Sequence, residues 1–297
     1  MEIDRHKKII TYNNFKKMRR LIIITMTICG LCLATACKEK KFKDYEQTDS
    51  GLYYKFIVEN NEARQPVEGD YLFLTVSYRT DNDSIIFEPR EVLDLLQPSS
   101  DLFEAYSLMH EGDEAAFILK ADSFFLHVGM PELPDFITEE TMIFFNIKLN
   151  KVSNDEEELA KANADIQNYL QQHGLQGEPT ADGLYYFEQA AGKGAAIVEG
   201  DTVSLHYTFK LLNDTAFDTS IGRDPIPWIV GNFVPGIDEG LKLMKRGGKA
   251  TMIMPYTLAF GPQNPYIPIP AFSSVVAEIE VLPNLILPQS MMPQPVQ

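Results

Sequence analysis

Few residues in this 297-residue chain are equipped to make or break bonds. Its three cysteines, Cys29, Cys32 and Cys37, all fall in an apolar leader. The body of the chain therefore has no thiol and no internal disulfide, and packed apolar cores must stabilise it. His206 stands beside Tyr207 on a strand-like run and points to the opposite face, so it reads as a surface residue and not as a base. No His/Cys/Asp cluster with nucleophile or metal spacing stands out. What remains is apolar surface, and one stretch concentrates it. Phe233–Met244, FVPGIDEGLKLM, runs from a Pro-Gly turn through two acidic residues into apolar residues at helical spacing, and KRGGKATMIMP follows. Ile237, Leu241 and Met244 share a face at i, i+4 and i+7. Gly236 permits a sharp entry, Asp238 and Glu239 suit a helix N-terminus, and Gly247 suits its end. A short helix between two sharp stops, apolar on one side, suits non-covalent chemistry on a water-excluding floor.

Around that floor the composition is globular, with 45% hydrophobic and 23% charged residues. The formal net charge of -16 argues against a nucleic-acid partner, because nothing would neutralise phosphates. The first 37 residues read as a signal segment: Lys16, Lys17, Arg19 and Arg20 precede an apolar run from Leu21 to Ala36. That run is shorter than the roughly 20 residues a spanning helix needs. LATAC, ending at Cys37, resembles a bacterial lipobox, which implies cleavage before Cys37 and a lipid on it. The alternative is an ordinary secretory signal cut nearby. Without residues 1–37 the chain carries 19 basic and 40 acidic side chains, net -21. Such a body would not bind an anionic membrane by its surface, so the lipid would hold it there. Residues 38–48 read as a polar tether.

The chain repeats itself. DSGLYYKF at Asp49–Phe56 matches ADGLYYFE at Ala181–Glu188, and VEGDYLFLTVSY at Val67–Tyr78 matches VEGDTVSLHYTF at Val198–Phe209. LMHEGDEAAFILKADSFF at Leu108–Phe125 matches LMKRGGKATMIMPYTLAF at Leu243–Phe260, and MIFFNIKL and VVAEIEVL close the two halves. Two copies of one domain are expected, over 49–152 and 181–283. Between them, 153–180 predicts a plain spacer helix capped by Asn154 or Asp155 and stopped at Gly174. Residues 284–297 read as a Pro- and Met-rich tail. Period-two runs such as DTVSLHYTFKL predict strands. The expected class is α+β: two tandem domains, each an antiparallel sheet wrapped on one short helix, with a helical linker between.

The second copy resembles the FKBP family of peptidyl-prolyl cis–trans isomerases. Its pattern runs VEGDTVSLHYTFKL, AFDTS, PIPWIVG, FVPGIDEGLKLMKRGGKATMIMPYTLAFG, IPIPAFSSVVAEIEVL. The family signature runs through a GD strand ending in HYTG, an FD pair, a V-I-x-G-W-x-E-G-L helix, a LAYG segment, an I-P-P segment and a closing strand. The resemblance implies a proline-binding pocket whose catalytic residues are Tyr207, Phe217, Asp218, Val234, Ile237 and Phe260. Ile226, Phe233, Ile269 and Arg223 would complete substrate binding. Val234 would offer its backbone N–H to a substrate carbonyl, and Tyr207 and Arg223 would hold Asp218 at the rim. Such a pocket needs no cofactor and no metal.

The same resemblance marks departures. Ile237 stands where the family usually has a tryptophan floor, and Phe260 replaces the tyrosine of LAYG. Ala277 falls where a closing-strand phenylalanine is common, Ile226 falls near another usual aromatic, and Trp228 lies two residues from that place. A shallower, less aromatic pocket is expected. In the first copy Val76 aligns with Tyr207, and Phe87 and Glu88 with Phe217 and Asp218; no FVPGIDEGL precedes its turn, so it reads as a fold without a catalytic site. The resemblance implies a prolyl isomerase acting on proline-containing exported polypeptides. Its expected place is the cell envelope of a Gram-negative-type bacterium, lipid-anchored at the periplasmic face of the outer membrane. A non-catalytic chaperone or client-binding lipoprotein of the same fold is the alternative.

Overall fold

The computed structural model describes residues 42–285, apart from 82, 99–101, 128–131, 134 and 139. The leader, Cys37, the start of the tether and the tail from 286 lie outside the described residues. Residues 42–55 belong to a small unit of their own. In it β1 (Glu46–Gln47) pairs antiparallel with Tyr53 and Tyr54, which open β2 (Tyr53–Val58).

Residues 56–297 form the second unit, and it holds two antiparallel sheets. The first is built from β3 (Tyr71–Thr80), β4 (Ile86–Leu95), β5 (Glu114–Lys120) and β6 (Met142–Ser153). Two short helices interrupt them, α1 (Phe103–Ser107) and α2 (Ala121–His127). A longer helix, α3 (Asp155–Gln172), leads into the second sheet. That sheet contains β7 (Tyr185–Ala190), β8 (Thr202–Leu211), β9 (Ala216–Thr219), β10 (Ile226–Ile229), β11 (Lys249–Met254) and β12 (Val275–Val281). Helix α4 (Pro235–Lys242) precedes β11.

The repeat is visible in the strand order. The first sheet runs β2-β5-β6-β3-β4 and the second β7-β11-β12-β8-β10, the same path with matching elements. Register agrees as well: Val76 pairs with Ile147 and Tyr78 with Phe145, while Tyr207 pairs with Ile279 and Phe209 with Ala277. The class is α+β, as the patterning predicts.

Each core follows from alternation. In β8 the buried Val203, Leu205, Tyr207 and Phe209 face α4, whose Ile237 and Leu241 are buried along with Met244. The helix lies very close to β11. A side-chain carbon on Gly236 would meet Met254 Sδ at 2.6 Å and the Leu258 carbonyl oxygen at 3.0 Å, and one on Gly240 would strike Met252. Gly236 therefore serves close approach as well as a sharp entry. The helix itself ends at Lys242 with Leu243 still right-handed, and Gly247 (φ 82) belongs to the turn into β11.

The helix between the sheets is capped as its sequence predicts. Asn154 Oδ1 accepts from Glu157 N at 2.9 Å, and Glu157 Oε2 accepts from Asn154 N at 3.2 Å. At the other end Gly174 (φ 64) turns left-handed, and Leu175 N donates to the Leu170 carbonyl at 2.9 Å. It is not a free-standing spacer. Ile166, Tyr169 and Leu170 pack on Tyr185, Ile253 and Val276, covering the face of the second sheet that turns away from α4.

Candidate active site

The second sheet and α4 bring most of the expected residues together. Tyr207 and Ile237 are buried in the core cluster, and Phe217, Ile226, Val234 and Phe260 are half-buried against it. Ile237 forms the floor because α4 enters at Val234 with Pro235 in its first turn, which turns the next apolar residue inward. Val234 is extended (φ -87, ψ 117), and among the described residues no backbone acceptor takes its N–H.

The polar rim is a short chain of hydrogen bonds. Tyr207 Oη donates to Asp218 Oδ2 at 2.7 Å, and Arg223 donates to Asp218 Oδ1 at 3.1 Å and to the Thr219 carbonyl. Burial pushes the Tyr207 phenol above its ordinary range, and its bond to the Asp218 carboxylate adds to the shift. Tyr207 therefore stays a neutral donor. The Arg223–Asp218 pair is largely exposed, with side chains 62% and 48% accessible, so it orients more than it stabilises. His206 lies on the opposite face, 3.2 Å from Ser220 Oγ.

Two expected members sit apart. Phe233 is 54% exposed and lies against Trp228 with ring centroids 4.6 Å apart. Ile269 is half-buried in the loop 262–272, and among the described residues it is not one of the side chains packed on the cluster.

Three contributors escaped the sequence reading. Phe209 stacks on Tyr207 at 4.4 Å and meets the edges or tilted faces of Phe217 at 6.1 Å and Phe260 at 6.0 Å. It sits directly across the ladder from Ala277, so the ring missing from β12 is supplied by β8. Its position two residues after Tyr207 on a period-two strand was the available signal. Trp228 is 5% exposed and joins the same cluster. Asp238, 6% exposed, accepts from Trp228 Nε1 at 2.7 Å and from Phe233 N at 3.1 Å. It turns inward from the first turn of α4, where the helix dipole favours a carboxylate. The expected shortage of aromatic rings is thus met in part by relocated ones.

At the matching place in the first sheet, rings fill the space. Tyr78 stacks on Phe87 at 4.8 Å and lies 5.1 Å from Phe145, while Phe125 and Phe145 are 2% and 1% exposed. The short α1 stands where the second sheet has α4, and Glu88, which aligns with Asp218, is exposed.

Comparison with known proteins points to the same segment. The family model for FKBP-type peptidyl-prolyl cis-trans isomerase matches residues 193–282. A probable FKBP-type peptidyl-prolyl cis-trans isomerase of Haemophilus influenzae is 39% identical over 104 residues, 35% of this chain and 43% of that protein. The FKBP-type isomerase FkpA of Escherichia coli is 34% identical over 137 residues, 46% of this chain and 48% of that one. The match thus spans less than half the length of either relative. The crystal structure of Escherichia coli FkpA aligns over 43% of this chain and 61% of that one, with 33% identity and a TM-score of 0.38. Residues 193–282, which carry the Tyr207–Asp218 rim and the Ile237 floor, are the part of this chain that matches the FKBP-type peptidyl-prolyl cis–trans isomerase family.

Proposed function

We propose that the second sheet catalyses cis–trans exchange of X-Pro bonds in exported polypeptides. The X-Pro amide rotates over a barrier of about 18–20 kcal/mol, held by resonance that also makes the planar bond polar. Twisting breaks that resonance and lowers the polarity. A site lined by Tyr207, Phe209, Phe217, Phe260 and Ile237 offers apolar contact in place of water, which favours the twisted amide over the planar one. The Val234 N–H, which no backbone acceptor takes among the described residues, can take the substrate carbonyl, and Asp218, held by Tyr207 and Arg223, marks the rim. The observation that carries the reading is this convergence of an aromatic wall and an oriented carboxylate on the floor of α4.

The decisive experiment measures exchange in X-Pro peptides by the full chain, with Asp218→Ala and Phe217→Ala as controls. Catalysis above background that both substitutions reduce supports the enzyme. A wild-type chain without catalysis that still suppresses aggregation of an unfolded client would leave the client-binding alternative in its place.

The leader pattern supports a lipid on Cys37 and attachment to the periplasmic face of the outer membrane. Among the described residues no helix is long and apolar enough to cross a membrane. Labelled fatty acid should enter the wild-type chain in cells and not Cys37→Ser; equal labelling of the two would exclude that anchor. The filled position in the first sheet supports a non-catalytic role for it.

A further inference from the structure

The segment from Tyr256 to Phe272 has a front and a back. On its front, Leu258 and Phe260 pack on the pocket cluster, and Phe260 meets the Phe217 ring edge-on at 5.9 Å. On its back, Tyr256 and Phe272 are buried, with rings 5.0 Å apart and perpendicular. The Phe272 ring reaches beyond its own sheet. It lies 4.9 Å from Tyr71 and 5.9 Å from Phe73, both on β3 of the first sheet. Phe272 N also donates to the Pro262 carbonyl at 2.8 Å, closing the loop that carries Ile269.

Phe272 holds a backbone conformation that a bulky residue rarely adopts, with φ at +57. Such a conformation persists only where the surroundings over-determine it. Here they do. Tyr71 is fixed by its hydroxyl, which donates to Asp155 Oδ1 at 2.9 Å. Phe73 lies under Lys151 Nζ at 4.8 Å, and that ammonium is bound to Glu158 at 2.5 Å. Beside this grip a cleft of about 560 Å³ opens between Phe73, Thr75 and Leu93 on one side and Gln263 and Pro270 on the other. At its edge Ala271 and Leu93 pack against the Phe272 cluster, which Leu159 and Ala162 of α3 back, so the grip on Phe272 sets the position of the loop.

We propose that the first sheet is a positioning element for the prolyl site. Through Tyr71 and Phe73 it holds Phe272, and through Phe272 it fixes the 262–272 loop that carries Ile269. Phe272 is a positioning residue and does not itself touch substrate. This inference rests on the isomerase reading, but its first readout is independent of activity.

The test uses the full chain with Phe73→Leu, Phe73→Tyr and Phe272→Gly. Phe73 lies outside the pocket cluster, and unchanged Trp228 emission shows that the second sheet remains folded. Hydrogen exchange at the Ile267, Ile269 and Ala271 amides should speed up in Phe73→Leu and Phe272→Gly, and Phe73→Tyr, which keeps the ring, should restore protection. In isomerase assays KM should rise roughly tenfold in the first two variants with kcat little changed, as expected when a binding wall is misplaced. Phe272→Gly removes the ring while relieving the backbone, so a neutral effect there would overturn the proposal. Unchanged exchange and KM in folded Phe73→Leu would also overturn it. A wild-type chain that lacks catalysis but shows the exchange response would sink the isomerase reading and leave the clamp standing.

Discussion

Asp238→Ala would remove the carboxylate that binds the Trp228 indole. Asp238 accepts two hydrogen bonds, one from the 5% exposed Trp228 and one from the Phe233 backbone. Bonds to a charged acceptor are each worth about 1.5–3 kcal/mol net, and a buried donor left unpaired costs about 1–3 kcal/mol. Phe233 is exposed enough for water to replace its lost partner, whereas the indole is not. The helix-dipole contribution of a first-turn carboxylate, about 0.3–1 kcal/mol, is lost as well. The expected loss is about 2–4 kcal/mol, dominated by the indole. Asp238→Asn keeps an acceptor oxygen and should cost about 1 kcal/mol. Trp228 is the only tryptophan in the chain, so urea unfolding followed by its fluorescence reads this site alone. Emission should move to longer wavelength in Asp238→Ala, and the midpoint should fall by roughly 1–2 M. If Asp238→Ala stays within about 0.5 kcal/mol of wild type with unchanged emission, packing alone holds the indole and the reasoning fails.

Three further outcomes are expected. Gly236→Ala should destabilise more than Gly240→Ala, because its new carbon meets the Leu258 backbone oxygen at 3.0 Å as well as Met254, whereas Met252 side-chain atoms confront Gly240; equal melting temperatures would contradict this. Ala277→Phe should cost about 1–3 kcal/mol by overpacking against Phe209, and much of that should return in the Phe209→Ala background; purely additive effects would show that the two positions do not share one volume. Burial, reinforced by hydrogen bonds to Asp155 and Asp214, pushes the Tyr71 and Tyr169 phenols up to about 12. Both hold their protons more tightly folded than unfolded, so their contribution is full below pH of about 10 and fades as pH rises towards 12. The alkaline slope of stability should flatten in a Tyr71→Phe/Tyr169→Phe variant, and an unchanged slope would assign it to other groups.

The local rules wrote much of this structure into the sequence. Strand alternation in DTVSLHYTFKL located β8 and its buried face, Asn154 and Gly174 bracketed α3, and Ile237, Leu241 and Met244 marked the buried stripe of α4. The repeat foretold a common strand order. What was not legible depends on pairing across elements. The compensation of Ala277 by Phe209 requires the β8–β12 register. The inward turn of Asp238 requires Trp228 to arrive from β10, since a first-turn acidic residue alone reads as a solvated cap. The packing of α3 was hidden because its apolar residues, Ile166, Tyr169 and Leu170, find partners only once the second sheet is formed. Phe272 gave no local signal at all, its left-handed backbone lying in a cluster drawn from both sheets and α3.

The placement of α3 also decides where the second half of the molecule can be cut. The sequence repeat resumes at Ala181, but Tyr185, Ile253 and Val276 are covered by a helix that ends at Gln172. A fragment starting at Ala181 would bare that apolar face and should associate with itself, whereas one starting at Asn154 keeps both its capping box and its cover. Inheritance of the two copies is therefore unequal. The duplicated unit in the second half is complete only with a helix that, among the described residues, has no counterpart before the first, so the halves are not exchangeable parts.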